Sequence, residues 1–91
     1  MTYRFAPSFD QTFLRLPSDR QARVKKSVDR LIDRLNQKLL PAGVGLKRLR
    51  GNLWELRAGL GDRIIFSLDG QLATFIMAGT HDEVRRFLKR L

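Results

Sequence analysis

The sequence predicts an α+β domain in which a helical hairpin and a C-terminal helix pack on a small antiparallel sheet. Three observations carry that prediction. Apolar residues hold to a helical period from Ser18 to about Leu39, period-two runs separated by glycine turns follow from Leu53 to Ala78, and helical spacing returns from His81 to Leu91. Ninety-one residues with 43% hydrophobic and 30% charged side chains suit one globular domain, spanning 1–91, with a single modest core.

Each element has its own local reason. Thr2 to Ala6 alternates polar and apolar residues and reads as a short strand ended by Pro7. Ser8 then caps a short helix whose Phe9, Phe13 and Leu16 share one face, and Pro17 stops it. Ser18 restarts a helix running to about Leu39, with Val24, Val28, Leu31, Ile32, Leu35 and Leu39 on the inner face. Its outer face carries Arg20, Arg23, Lys26, Arg30 and Arg34. The joint is so short that the two helices should lie side by side.

Leu40 to Gly45, with two glycines and a proline, reads as a loop. Strands are expected over Leu53–Ala58, Arg63–Leu68 and Leu72–Ala78, joined by Gly59-Leu60-Gly61-Asp62 and Asp69-Gly70-Gln71 as a meander, with the N-terminal strand at the sheet edge. Alternation puts Trp54, Leu56, Ile64, Phe66 and Leu68 on the face that covers the hairpin. It puts Leu53, Glu55, Arg57, Arg63, Ile65 and Ser67 on the other. The closing helix, His81 to Leu91, turns Val84, Phe87, Leu88 and Leu91 inward.

Charge narrows the function. Eighteen Lys and Arg, thirteen of them Arg, against nine Asp and Glu give +9, which calls for a polyanionic partner. Arginine favours bidentate phosphate recognition. With no cysteine, thiolate metal sites, disulfides and cysteine nucleophiles are excluded. One histidine and two glutamates supply neither a zinc site nor a glycosidase carboxylate pair, so neither a metal nor a cofactor is expected. No apolar run has the length of a signal peptide or a membrane span, and the expected location is the cytoplasm, away from membranes.

The element order, together with Leu49-Arg50-Gly51, Leu56-Arg57-Ala58-Gly59, Gly61-Asp62-Arg63-Ile64-Ile65-Phe66 and Ala78-Gly79-Thr80-His81, resembles the RelE/ParE superfamily of toxins over nearly the whole chain. The resemblance implies a RelE-like fold and a type II toxin–antitoxin system. It also implies one of two activities: metal-independent cleavage of translated mRNA in the ribosomal A site, or, in the ParE branch, inhibition of DNA gyrase. An acidic antitoxin is the implied protein partner, with mRNA and ribosomal RNA as the nucleic-acid partners.

Arg57 and Arg63 match the arginines of the family's strand motif and flank one turn on the exposed sheet face. Paired guanidinium groups suit the charge that develops on a phosphate attacked by a ribose 2′-hydroxyl, where one such donor is worth about 3–4 kcal/mol of barrier. The competing assignment for either arginine is an ion pair with Glu55 or Asp62.

His81 follows Gly79-Thr80 as the histidine does in the YafQ branch, where it is catalytic, and an imidazole is the natural proton carrier near neutral pH. Its alternative is a plain first-turn residue of the closing helix. Lys47, Arg48 and Arg50 form a basic cluster suited to an RNA backbone, as does Arg85 one turn beyond His81; an ordinary solvated surface is the other reading.

The chain also departs from the family. Where RelE carries lysines it has Leu53 and Glu55, and Phe87 replaces the C-terminal tyrosine. Lysine general bases are therefore excluded, His81 needs a second group such as Glu55 or the substrate itself, and a catalytically lapsed binder of antitoxin or RNA stays open. Phe87 is either a base-stacking residue or, by its helical spacing with Val84 and Leu91, a core residue.

Overall fold

The computed structural model describes residues 1–38 and 45–91. They form, in order, β1 (Thr2–Phe5), α1 (Pro7–Leu14), α2 (Ser18–Asn36), β2 (Leu46–Arg50), β3 (Leu53–Ala58), β4 (Asp62–Asp69), β5 (Leu72–Thr80) and α3 (His81–Lys89). One five-stranded sheet runs in the order β1-β5-β4-β3-β2, with α1 and α2 on one face and α3 on the other. The α+β class and the helical hairpin stand as the sequence predicts.

Two features of the sheet differ from expectation. It is mixed and not wholly antiparallel, because β1 lies parallel to β5, with Thr2 opposite Leu72 and Phe5 opposite Phe75. Alternation marks β1 as a strand but says nothing of its partner or direction. The sheet also gains β2, where the sequence shows only a cluster of cations. Leu46 and Leu49 are three residues apart and pack on opposite faces of the sheet, so neither face shows a period-two run of apolar residues. Three cations in five residues are tolerated because β2 is an edge strand, where charge also discourages pairing with foreign strands.

Helix boundaries move slightly. Pro7 is the first residue of α1 and not the breaker before it, since its missing N–H is harmless in a first turn. Ser8 makes no cap; its hydroxyl donates to the Ile76 carbonyl (2.5 Å), and Thr12 Oγ1 accepts from the Ala78 amide (3.0 Å). Both bonds fasten α1 to β5. Leu16 lies beyond α1 yet is buried. α2 ends at Asn36, whereas Leu39 and the loop residues 40–44 lie outside the described residues.

The main core sits between the hairpin and the sheet. Phe9, Val24, Val28, Leu31 and Leu35 meet Leu56, Ile64, Phe66 and Phe75, as period two and period 3.6 together require. Each fully buried large apolar side chain contributes on the order of 2–3 kcal/mol. A second cluster on the other face joins Ile65, Met77 and Val84 with half-buried Leu49, Leu53, Phe87 and Leu88. That face, expected to be displayed, is thus partly roofed by α3, and Phe87 serves as core.

One buried charge stands out. Asp62, expected in a turn, begins β4 at 2% exposure. Arg20, in the first turns of α2, meets it with Nε at 3.1 Å from both carboxylate oxygens and Nη2 at 2.5 Å from Oδ1. Those hydrogen bonds hold the Arg20 guanidinium above its ordinary pKa. Removing one member strands a buried charge, so Arg20→Ala is expected to lower unfolding free energy by about 3 kcal/mol, the low end for buried pairs because Arg20 keeps some solvent contact. Urea denaturation of the variant checks this; a change under about 1 kcal/mol, the range of surface pairs, refutes it.

Candidate active site

The strand register assembles the candidate residues. Arg57 on β3 is opposite Arg63 on β4, and Arg63 is opposite Gly79 on β5. Cross-strand partners present their side chains to the same face, so Arg57, Arg63 and Gly79 form one row across three strands. The adjacent row is Glu55, Ile65 and Met77, with Lys47 of β2 opposite Glu55. β5 ends one residue past Gly79, and His81 begins α3 there. His81 therefore stands at the same end of the sheet as the two arginines.

The turn into α3 is tightly specified. Thr80 and Glu83 close a capping box: the Glu83 amide donates to Thr80 Oγ1 (3.2 Å) and the Thr80 amide to Glu83 Oε1 (2.9 Å). The backbone hydrogen bond at Thr80 lowers the Glu83 pKa below the usual carboxylate value. Gly79 permits this approach, since a Cβ there would lie 3.2 Å from the Glu83 side chain and 3.3 Å from Met77 Cε. His81 is the first helical residue, exposed, and its ring makes no hydrogen bond among the described residues. Thr80 performs the capping, which leaves the imidazole available. Arg85, one turn on, is exposed on the same flank and borders a shallow groove with Asp82, Arg86 and Lys89.

Arg63 and Arg57 occupy different surroundings. Arg63 is half-buried, with Nε 3.6 Å from Glu55 Oε1 and Nη1 donating to the Asp62 carbonyl (3.2 Å). The ion pair that competes with a phosphate role for Arg63 is thus present, though Nη2 has no partner among the described residues. Arg57 is exposed and has no ion pair among the described residues. It borders a cleft of about 330 Å³ with Arg30 and Arg34 of α2, floored by Leu31 and Leu56. Gly45, at φ +76°, makes room for it: a Cβ there would lie 2.8 Å from Arg57 Cβ.

The basic cluster divides. Lys47 shares the Glu55 face, whereas Arg48 is opposite Trp54 and so belongs to the other face, where its Nε donates to the Gly51 carbonyl (2.9 Å). Arg50 reaches the C-terminal turn of α3, with Nη2 3.5 Å from the Leu88 carbonyl. Only Lys47 stands in the rows beside Arg57 and Arg63. Two features are faint in the sequence: the approach of Glu55 to Arg63, and the cleft that Arg30 and Arg34 share with Arg57. The signals were present: Glu55 is two residues from Arg57 on a strand, and Arg30 and Arg34 are one helical turn apart.

A helical hairpin on one face of a mixed five-stranded sheet, a closing helix on the other and basic residues gathered at one end define a RelE-like fold. Solved structures that share it include RelE in its antitoxin–toxin complex with RelB from Methanococcus jannaschii, with a TM-score of 0.72, 19% identity and coverage of 92% of this chain and 96% of that one. YafQ in the Escherichia coli DinJ–YafQ complex gives a TM-score of 0.70 at 19% identity, covering 90% and 94%. The Staphylococcus aureus YoeB dimer gives 0.67 at 14% identity, covering 89% and 97%. At these identities the likeness is one of fold. No protein-family model and no curated protein matches the sequence.

The capping box makes a pH prediction. A carboxyl whose folded pKa lies below its unfolded value adds stability that is present above the unfolded value and is lost as pH falls through the folded one. Glu83→Gln, which keeps a capping side chain at this position, should therefore flatten the acidic decline of thermal stability below about pH 4.5. Melting curves of both proteins across acidic pH test this. An unchanged acidic slope would remove the capping box from the account.

Proposed function

We propose that this chain is the toxin of a type II toxin–antitoxin pair, an endoribonuclease that cleaves translated mRNA in the ribosomal A site and so blocks translation in the cytoplasm. The observation that carries the reading is the row formed by Arg57 and Arg63, neighbours across β3 and β4, at the sheet end where α3 presents the unengaged His81. The RelE-like fold supports it, and the presence of RelB, DinJ and YefM beside their toxins in the related structures supports an antitoxin partner.

The chemistry follows from the residues. A scissile phosphate set against Arg57 and Arg63 gains hydrogen bonds and positive charge where the pentacoordinate phosphorus accumulates negative charge. The ribose 2′-hydroxyl attacks, and His81 in its protonated form delivers a proton to the departing 5′-oxygen. Lys47 and Arg85 flank the row and are the further backbone contacts, with Arg48 and Arg50 on the adjoining edge strand. Arg63 and His81 line neither of the two clefts described above, so the ribosome supplies much of the alignment. The antitoxin is an acidic, partly disordered chain that folds over this basic surface.

His81→Ala is expected to lower cleavage by about 10²–10⁴-fold. Arg63→Ala is expected to cost about 10²–10³-fold, the effect of one transition-state donor. Primer extension on a translated message after induction reads both. Codon-phased cuts by the wild type support the nuclease; an SOS response with intact message points instead to gyrase inhibition, and growth-neutral expression with antitoxin binding to a lapsed enzyme. Full cleavage by His81→Ala removes the imidazole from the mechanism.

Binding to single-stranded RNA should weaken with salt. Four phosphate contacts, from Lys47, Arg57, Arg63 and Arg85, give a slope of about −3 in log K against log salt, and Arg57→Ala should reduce it by about 0.7. A fluorescence anisotropy titration over a salt series measures the slope. A value near zero excludes a phosphate-binding surface.

A further inference from the structure

A 2′-hydroxyl attack needs an acceptor for the hydroxyl proton, and one carboxylate is placed to be that acceptor. Glu55 lies in the row next to Arg57 and Arg63, two residues from Arg57 on the same strand and 3.6 Å from Arg63 Nε. Its side chain is 14% exposed and that of Arg63 is 17%, so the contact is sheltered without being sealed from a substrate. Of the other carboxylates near this end, Asp62 is engaged with Arg20 and Glu83 in the α3 cap, and Asp82 is exposed beside Arg85, Arg86 and Lys89 of α3. Asp69 closes β4 at its far end.

The orientation of Arg63 bears on the assignment. Its Nε faces Glu55 and its Nη1 donates to the Asp62 carbonyl, which leaves Nη2 for a substrate oxygen. A phosphate bound there is one guanidinium away from the Glu55 carboxylate, and the ribose that carries the attacking hydroxyl is bonded to that phosphate. An ionised carboxylate is an acceptor only, which is what this position requires.

We propose that Glu55 is the general base of the reaction, an assignment that rests on the RNA-cleaving reading above. Glu55 takes the 2′-hydroxyl proton as O2′ bonds to phosphorus, and the bond from phosphorus to the 5′-oxygen breaks. That oxygen takes its proton from protonated His81. The products are a 2′,3′-cyclic phosphate and a 5′-hydroxyl end, Glu55 holds one proton, His81 has lost one, and no co-reactant enters. Water then exchanges the two protons and resets both groups.

The charged groups facing Glu55 are Lys47 from β2, Arg63 from β4 and Arg57 on its own strand. α3 packs over the same face through Val84, Phe87 and Leu88. In this scheme the base must be ionised and the acid protonated, so an acidic limb in the rate profile reports the base and a basic limb the acid, and substitution of Glu55 separates them.

The test is the pH profile of cleavage on programmed ribosomes or free RNA, whichever the wild type cuts, for wild type, Glu55→Gln and Glu55→Asp, with melting curves to establish that each is folded. Glu55→Gln is expected to lose at least about 100-fold at neutral pH and to lose the acidic limb. Glu55→Asp, which keeps a carboxylate, should retain the limb at reduced rate, and it carries the test alone if Glu55→Gln cuts too slowly or fails to fold. A folded Glu55→Gln that cuts within threefold of wild type, or a variant that keeps the limb without the carboxylate, overturns the assignment and leaves the nuclease reading standing. Failure of the wild type to cut any RNA overturns both.

Discussion

The buried pair of Arg20 and Asp62 aligns the parts on which the candidate site depends. Asp62 starts β4, faces Ala58 at the end of β3 and Thr80 at the end of β5, and is gripped by a guanidinium from the first turns of α2. Three strand ends and one helix are thereby held at a single corner. A carboxylate at 2% exposure is tolerable only with its counterion in place, so the corner has one satisfactory arrangement. Arg57, Arg63 and His81 each lie one residue from that set of three strand-end positions, which is why this ion pair governs how they face one another.

The two faces of the sheet differ in what they bury. The hairpin face is apolar throughout its middle, with Leu56, Ile64, Phe66 and Phe75 buried under α1 and α2. The other face is mixed: Ile65 and Met77 take the cover of α3, Glu55 shares their row, and Arg57 and Arg63 form the next row toward the strand ends. Two glycines allow the close approaches this requires. Gly79 lets the first turn of α3 sit down on β5, and Gly45 clears space for Arg57 at the sheet edge. In a chain of 91 residues the same short helix completes a core through Val84 and leaves His81 exposed, and Thr80, not His81, makes the cap.

Net charge of +9 conceals several kinds of cation. Arg20 is structural, Arg48 and Arg50 bond to backbone carbonyls, and Arg23 pairs loosely with Asp19 on the surface of α2. Arg57 keeps its guanidinium free of carboxylates among the described residues, and Arg63 meets a carboxylate with only part of its guanidinium. Cations already committed to the fold add attraction at long range but no directed bonds. Under the proposed function, specific recognition therefore falls on a few side chains at one end of the sheet.

Local period and composition were enough to determine the class of fold, the two long helical faces, the meander and the face on which Arg57 and Arg63 lie, because each depends on neighbours within a few residues in the chain. The RelE-like resemblance was legible in the same way, from short motifs in a fixed order. What only the tertiary structure decided involves residues far apart. The parallel docking of β1 on β5, the recruitment of Leu46–Arg50 as an edge strand, the cover that α3 lays over Ile65 and Met77, and the bond between Arg20 and Asp62 are all of this kind. The division of the Lys47, Arg48 and Arg50 cluster between two faces and a helix end, and the approach of Glu55 to Arg63, follow from strand register, which pairs residues across turns and bulges. Register is set by the packing of the whole sheet on its helices, and no single stretch of sequence contains that information.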